Sequence, residues 1–105
     1  METVCIRVRL KPGSLPRVRE WAEELTARPD EVLATLRDEG VVVESVFLDG
    51  EELVYYLKAQ SLAQARAVYE SSQHAIDAYH QEFKDATFAE ETTLELLVDF
   101  ENLTG

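Results

Sequence analysis

The sequence holds a single cysteine, Cys5, and few basic residues relative to acidic ones. A lone cysteine excludes an internal disulfide and a cysteine-rich metal site. Only 10 Lys and Arg residues stand against 21 Asp and Glu residues, which gives a formal net charge of -11. Nucleic acids and anionic membranes are bound by basic surfaces. We therefore expect neither nucleic acid nor a membrane as a partner.

Long apolar runs and targeting segments are also missing. No run approaches the ~20 apolar residues that cross a bilayer, and the amino terminus leads into a charged, alternating segment rather than a signal peptide. The sequence also lacks a glycine-rich phosphate loop, a Gly-x-Ser-x-Gly elbow and an Asp/Asn-rich calcium loop. We expect a cytoplasmic protein, and we predict no cofactor and no metal.

What is present is a chain of ordinary domain size with enough apolar residues for a core. The 105 residues are 46% hydrophobic, which argues against disorder. About two thirds of the surface of a chain of this length is buried on folding. We predict one domain spanning residues 1–105.

The segment from Thr3 to Lys11 alternates strictly in polarity. One face carries Val4, Ile6, Val8 and Leu10, and the other carries Cys5, Arg7, Arg9 and Lys11. A period of two predicts a strand with one face on a core. The cations on the second face need water or acidic partners, and they are the best lead to function in the sequence.

Helical spacing follows this strand. Ser14 is a suitable helix cap, and apolar residues then recur every three or four positions up to Leu36. A proline cannot complete the hydrogen bonding of a helix interior. We therefore predict two helical segments bent at Pro29, the second of which ends at Gly40.

The remaining elements are predicted from β-branched runs, turn residues and helical spacing. They are strands over 41–49 and 53–59, a helix that Ser61 caps and residues 71–73 interrupt, a short helix over about 75–84, a loop over 85–91 and a last strand over 92–101. The resulting order is strand, helix, strand, strand, helix, strand. This is the order of the split βαβ unit. We predict an α+β, ferredoxin-like βαββαβ fold, with a four-stranded antiparallel sheet in the order 4-1-3-2 and helices on one face.

The uncovered face of this sheet is predicted to be charged. Its predicted side chains include Arg7, Arg9, Glu44, Tyr56, Lys58, Glu95 and Asp99. Opposite charges on adjacent strands stabilise a sheet by roughly 0.2–1 kcal/mol for each pair. Two copies that stack these faces would form a homodimeric barrel around a partly polar cavity, and this is our preferred interpretation. The alternative is a monomer with a solvated sheet face.

Three segments resemble a known group of proteins. They are Leu10-Lys11-Pro12-Gly13-Ser14, Leu36-Arg37-Asp38-Glu39-Gly40-Val41 and Ile76-Asp77-Ala78-Tyr79-His80. They resemble a small prokaryotic family of unknown function within the dimeric α/β-barrel superfamily, which is antibiotic-biosynthesis-monooxygenase-like. That superfamily contains cofactor-independent monooxygenases, isomerases and mutarotases. The resemblance spans nearly the whole chain. It implies the fold and a homodimer, and it implies no assigned activity.

Both histidines lie in one segment with an acid between them. On a helix, Asp77 shares a side with His74 and with His80. The two histidines point about 120° apart, which is poor geometry for joint metal binding. One histidine beside Asp77 would form a catalytic acid/base pair near neutral pH. In the structural alternative, His74 caps the helix, Asp77 occupies its first turn and His80 is solvated.

The arginines of the first strand provide the binding hypothesis. A guanidinium group inside a barrel binds carboxylates or phosphates through two parallel hydrogen bonds. Of the consecutive Tyr55 and Tyr56, we assign Tyr56 to the cavity. The predicted ligand-binding residues are Arg7, Arg9, Glu44, Tyr56, Lys58 and Glu95, and the ligand is a small anionic or polar-aromatic molecule. The alternatives are ion pairs that only set the register of a homodimer without chemistry, or an enzyme of the monooxygenase or isomerase type.

Overall fold

The computed structural model describes residues 1–102. Its elements are β1 (Glu2–Leu10), α1 (Leu15–Ala27), α2 (Pro29–Glu39), β2 (Val41–Asp49), β3 (Glu52–Ala59), α3 (Leu62–Glu70), α4 (Ala75–Thr87) and β4 (Phe88–Thr93). The strands form one antiparallel sheet in the order β2-β3-β1-β4, which is the order 4-1-3-2 read from the other edge. The ferredoxin-like α+β fold is confirmed. Within these residues, no helix has the length and apolarity needed to cross a membrane.

The first helical region is divided at Arg28 and Pro29. Arg28 has φ -125° and ψ 54°, so it leaves the helical conformation, as residues before a proline tend to do. Pro29 opens α2, where its missing N–H costs nothing. Gly40 ends α2 with φ 73°, a left-handed conformation that glycine adopts easily. The predicted bend and the predicted helix end are confirmed.

The core lies between the helices and the apolar face of β1 and β3. Val8, Leu53 and Phe83 are almost inaccessible to solvent. The Trp21 ring of α1 stacks on Phe83 of α4, with 4.4 Å between ring centroids and 6° between ring planes. Burial of these large apolar side chains is the main driving force for folding. It also holds α1 and α4 over the same side of the sheet.

The end of α4 differs from the prediction. The helix continues to Thr87, and β4 follows immediately over Phe88–Thr93, whereas the sequence pattern predicts a loop over 85–91. Phe83 and Thr87 are both buried, and the Thr87 hydroxyl donates to the Phe83 carbonyl oxygen over 2.7 Å. The last turn of the helix therefore packs on the core, which the charged sequence around Asp85 does not reveal.

The segment after β4 is not the predicted strand over 92–101. Residues 94–102 lie outside the sheet, although Thr3 Oγ1 donates to Asp99 over 2.7 Å. Leu96, Val98 and Phe100, which the alternation assigns to a core face, are 55%, 69% and 90% exposed. Leu94 N–H still donates to the Cys5 carbonyl oxygen of β1 over 2.9 Å, but the regular ladder between β1 and β4 ends at Thr93. The alternation is real, but these side chains do not reach the core of the single chain.

Candidate functional site

Four of the predicted binding residues lie on the open face of the sheet. They are Arg7, Arg9, Tyr56 and Lys58, which alternate with the core residues of β1 and β3. Arg7 lies 3.5 Å from Glu52, and Arg9 lies 2.9 Å from Glu90. Both pairs are well exposed to water, and exposed ion pairs typically stabilise a protein by about 0–1 kcal/mol. The arginines are therefore engaged with carboxylates of their own chain.

Lys58 contacts the carboxyl-terminal segment. Its Nζ lies 3.4 Å from Asp99 and 3.1 Å from Glu101, and the hydrogen bond with Glu101 raises the pKa of Lys58. Glu95 is exposed, and it forms no ion pair with the predicted cations among residues 1–102. The sequence pattern predicts Glu95 as an ion-pair partner of these cations. The carboxylates that pair with them are instead Glu52, Glu90, Asp99 and Glu101.

Glu44 lies on the opposite face of the sheet, which corrects the prediction. A bulge between Val41 and Val43 shifts the register of β2. Beyond the bulge, Glu44 pairs with Leu57, whose side chain belongs to the helix-side face. A bulge adds one residue to a strand, and a shift of one residue moves every later side chain to the other face. The period-two pattern does not reveal such an insertion.

A cavity of about 380 Å³ lies between the helix-side face of the sheet and the helices. The lining residues that carry polar groups include Glu39, Glu44, Tyr55, Asp77, His80 and Lys84. Small-molecule sites are concave, mostly apolar and supplied with a few convergent polar groups, and this cavity fits that description. Of the predicted ligand-binding residues, only Glu44 lines it.

His80 lines the cavity and is held by Trp21. The Trp21 Nε1–H donates to His80 Nδ1 over 3.0 Å. An indole N–H can only donate, so the neutral imidazole ring carries its proton on Nε2. Burial, together with the positive charge of Lys84, lowers the pKa of His80 to about 4. The ring is therefore uncharged at neutral pH.

Glu39 is a buried acid that the sequence prediction omits. It is 8% exposed at the end of α2, and Thr35 Oγ1 lies 3.3 Å from its Oε2. Burial, together with the negative charges of Asp77 and Glu44, raises the pKa of Glu39 to about 7. Glu39 therefore exists in both protonation states near neutral pH, which suits a proton-transfer group.

Asp77 is buried at the start of α4 beside Glu39. Thr35 Oγ1 and Ser72 Oγ each donate to its Oδ2 over 2.5 Å. Because a threonine hydroxyl carries one hydrogen, Thr35 can donate to Asp77 or to Glu39, but not to both at once. When it donates to Asp77, its oxygen can accept a proton that Glu39 holds.

Glu44 and Lys84 bring opposite charges to the cavity. Solvent reaches Glu44 at the open side of the cavity, but the surrounding protein still desolvates its carboxyl group, and this raises its pKa. Lys84 Nζ lies 5.0 Å from the centroid of the Tyr69 ring, which is a cation–π distance. The ammonium group of Lys84 is thus held at the side of the cavity by an aromatic face.

His74 lies outside the cavity. Its Nε2 is 2.7 Å from Asp38 Oδ2, and this hydrogen bond raises the pKa of His74. His74 stands at the N-cap position of α4 without a side-chain capping bond. The predicted group of His74, Asp77 and His80 is therefore divided among three environments. Asp77 N–H donates to the His74 carbonyl oxygen over 3.1 Å, but among residues 1–102 no hydrogen bond joins the Asp77 carboxylate to a histidine ring. Within the described part of the chain, no three His, Cys, Asp or Glu residues cluster as a metal site.

Tyr55, rather than the predicted Tyr56, faces the cavity. It is 6% exposed, and its hydroxyl has no hydrogen-bond partner among residues 1–102. Burial, together with the nearby carboxylates of Glu44 and Glu91, raises the pKa of Tyr55. The hydroxyl group is therefore protonated at neutral pH.

Helical spacing holds a signal for two of the omitted residues. Thr35 and Glu39 fall on the same apolar stripe as Val32 and Leu36. A polar residue on a buried stripe is informative because burial of polar groups is costly. The sequence prediction considers only the charged strand residues and the histidines, and for that reason it omits both residues.

Solved structures share this fold. An L-rhamnose mutarotase from Formosa agariphila matches with a TM-score of 0.66 at 17% identity, covering 96% of this chain and 100% of that chain. An antibiotic biosynthesis monooxygenase matches with a TM-score of 0.61 at 16% identity, covering 94% and 99%. An uncharacterized NIPSNAP domain protein from Burkholderia xenovorans matches with a TM-score of 0.59 at 12% identity, covering 93% and 95%. At such identities, the likeness shows the fold alone.

The sequence itself matches a family model over its whole length. No protein of curated function matches the chain. The family of unknown function DUF6176 matches residues 1–105. The resemblance of the three segments quoted above to a family of unknown function is thereby confirmed, and the solved structures share the predicted fold. The chain belongs to the family of unknown function DUF6176.

Proposed function

We propose that this protein binds a small uncharged polar molecule in the cavity between sheet and helices, and that it moves a proton on that molecule without a cofactor. The observation that carries the proposal is the pairing of Glu39, with a pKa of about 7, and the neutral His80 in one cavity of about 380 Å³. Titratable groups with strongly shifted pKa values in a cavity are typical of active sites.

The charges around the cavity favour an uncharged ligand over the anion that the sequence suggests. Its lining contains the acids Glu39, Glu44, Asp77 and Glu91 and the bases Arg66 and Lys84. The net charge of -11 further disfavours the approach of an anion. Arg7 and Arg9, on which the anion hypothesis depends, lie across the sheet and pair with carboxylates.

Glu39 suits the role of general acid and base. As a carboxylate it takes a proton from one atom of the ligand, and as a carboxylic acid it returns the proton to another atom. The sum of these steps is an isomerisation, which needs no oxidant or reductant. His80 cannot be the base near neutral pH because its Nδ1 is engaged by Trp21 and its pKa is about 4. The structural neighbour named as a mutarotase supports this reaction type for the fold.

A thermal-shift screen tests the proposal. Neutral hydroxy and carbonyl compounds are compared with carboxylates and amines of the same size, since a ligand of the native state raises the melting temperature. We expect neutral compounds to stabilise the protein most.

For any compound that is isomerised, the Glu39→Gln variant should still bind the compound but should no longer turn it over. Glu23→Gln, an exposed site on α1, is the matched control. Stabilisation by carboxylates alone would contradict the proposal.

We also propose that two copies pack through their open sheet faces. Phe47 on that face is 61% exposed. In the segment that follows β4, Leu97 and Phe100 are 80% and 90% exposed. Contiguous exposed apolar side chains are typical of interaction sites. The resemblance of the chain to the dimeric α/β-barrel superfamily supports the same arrangement. A dimer whose cavity binds none of the tested compounds would favour a homodimeric module without chemistry.

A further inference from the structure

The Tyr55 hydroxyl group is buried without a hydrogen-bond partner. The residue lies in β3, an inner strand, is 6% exposed and lines the cavity. Its oxygen contacts no donor or acceptor among residues 1–102. Buried tyrosine hydroxyls usually find a partner, and an unpaired one costs free energy. A ligand in the cavity that Tyr55 lines would supply the missing partner.

His80 offers a hydrogen-bond donor on a ring that neighbours the ring of Tyr55. Trp21 occupies Nδ1 and leaves the proton on Nε2, which has no protein partner in the part of the chain that the structure describes. The His80 and Tyr55 rings are neighbours, with 6.4 Å between centroids and 57° between planes. Both residues line the same cavity.

We propose that Tyr55 and His80 bind one acceptor oxygen of the ligand together, and that the ligand is an uncharged carbonyl compound. A tyrosine hydroxyl can donate or accept, whereas the Nε2–H of a neutral imidazole can only donate. The ligand atom that both contact must therefore be an acceptor. This inference rests on the proposed function and adds the ligand class to it.

The chemistry of Glu39 selects a carbonyl oxygen among neutral acceptors. When the Glu39 carboxylate takes a proton from the carbon beside the carbonyl group, the C–H electron pair forms a C=C bond and the C=O pair moves to oxygen. Two donors directed at that oxygen stabilise the charge as it develops. The proton of Glu39 then returns to carbon or to oxygen, so atoms and electrons balance. An ether or hydroxyl oxygen gains no such charge.

The test compares acetophenone, ethylbenzene and benzoate as probes of equal shape. Each is titrated into the wild-type protein, Tyr55→Phe and Tyr79→Phe, with binding followed by amide chemical shifts of the cavity residues. Tyr79 is the matched control because its hydroxyl already has a partner, Arg17, and it does not line the cavity. The tautomer of His80 is read from its ring ¹⁵N shifts in the same samples.

We expect acetophenone to bind more tightly than either other probe. Tyr55→Phe should weaken acetophenone about fivefold to tenfold, as the loss of one hydrogen bond predicts, and leave ethylbenzene unchanged. The melting temperature should not fall in Tyr55→Phe but should fall in Tyr79→Phe. The His80 shifts should show the Nε2–H tautomer.

Two kinds of failure are distinguishable. Any of three results would overturn the inference while ligand binding in the cavity stands. The wild type could bind acetophenone and ethylbenzene equally, or acetophenone could bind equally to the wild type and Tyr55→Phe. The third result is a proton on Nδ1 of His80. If Tyr55→Phe does not fold, the comparison of the probes and the tautomer of His80, both measured in the wild type, still test the inference. If no probe shifts the cavity residues of the wild type, both the inference and the proposed function fail.

Discussion

Burial acts in opposite directions on the two key titratable residues of the cavity. It raises the pKa of Glu39 to about 7 and lowers the pKa of His80 to about 4, because a low-dielectric site disfavours the charged form of either group. Near neutral pH, His80 is therefore neutral and Glu39 is partly protonated. Neither group then carries a full charge that an ionic ligand would have to balance, which suits the uncharged ligand of our proposal.

The same shifts make stability depend on pH with two opposing signs. Glu39 has a pKa of about 7 when folded and 4.5 as its reference value, so its contribution to stability is full below pH 4.5 and is lost as the pH rises through 7. His80 has a pKa of about 4 when folded and 6.5 as its reference value. Its contribution is full above pH 6.5 and is lost as the pH falls through 4.

Single variants should separate these contributions. In the wild-type protein, the contribution of Glu39 to the free energy of unfolding falls by up to about 3 kcal/mol as the pH rises from 4.5 to 7. We expect Glu39→Gln to abolish this decrease. In that variant, the loss of stability with rising pH should be smaller, because the remaining losses from Glu44 and His74 are opposed by the gain from His80. Urea denaturation at a series of pH values measures the effect, with Glu23→Gln as the control. The same pH profile in both variants would contradict the assigned pKa of Glu39.

At the scale of elements, Gly40 joins the helix that ends in Glu39 to the strand that carries Glu44. Its φ of 73° is left-handed, and a Cβ atom there would lie 3.8 Å from Gln60 Cβ, an ordinary contact. The cost of a side chain at this position is thus a backbone cost, not a steric clash. The geometry of both cavity acids depends on this connection.

Substitution of Gly40 tests this connection. We expect Gly40→Ala to lower the free energy of unfolding by about 1 kcal/mol, and Gly40→Asn to lower it less, because asparagine tolerates the left-handed region. Chemical denaturation of both variants measures the difference. If alanine and asparagine cost the same, the conformation of Gly40 is not the cause.

At the scale of the whole molecule, the sheet separates two different surfaces. Its helix-side face encloses the cavity, and its open face carries exposed ion pairs among exposed apolar side chains. Phe47 lies on the open face because it pairs with Val54, which in turn pairs with Arg7. The surface that a second copy covers in our proposal is therefore distinct from the site that binds ligand.

Light scattering tests the proposed homodimer. We expect the wild-type protein to have roughly twice the mass of one chain, 11.9 kDa. Phe47→Glu should yield the monomer, since a buried unpaired charge at an interface is costly. Leu33→Glu is the matched control, as Leu33 is 50% exposed on α2 at the helical side. A monomeric wild type at micromolar concentration would contradict the proposal.

Local patterns were sufficient for most of the fold. The alternation of β1, the proline at the start of α2 and the glycine at its end act over a few residues, so the sequence alone predicts these elements. The order of the elements then limits the sheet to few topologies. Local patterns do not predict the end of α4, because Thr87 is helical through its contact with the core and not through its own propensity.

The sequence by itself determined the order of the elements, the antiparallel sheet, the break at Pro29 and the family. Only the tertiary structure decided which polar residues share a cavity. The bulge in β2 moves Glu44 to the helix side, and the packing of α2 against α4 brings Thr35 to Asp77 across 42 positions in sequence. The physical reason is range: alternation and helical spacing are local, whereas the register across strands and the contacts between helices depend on residues far apart in the chain.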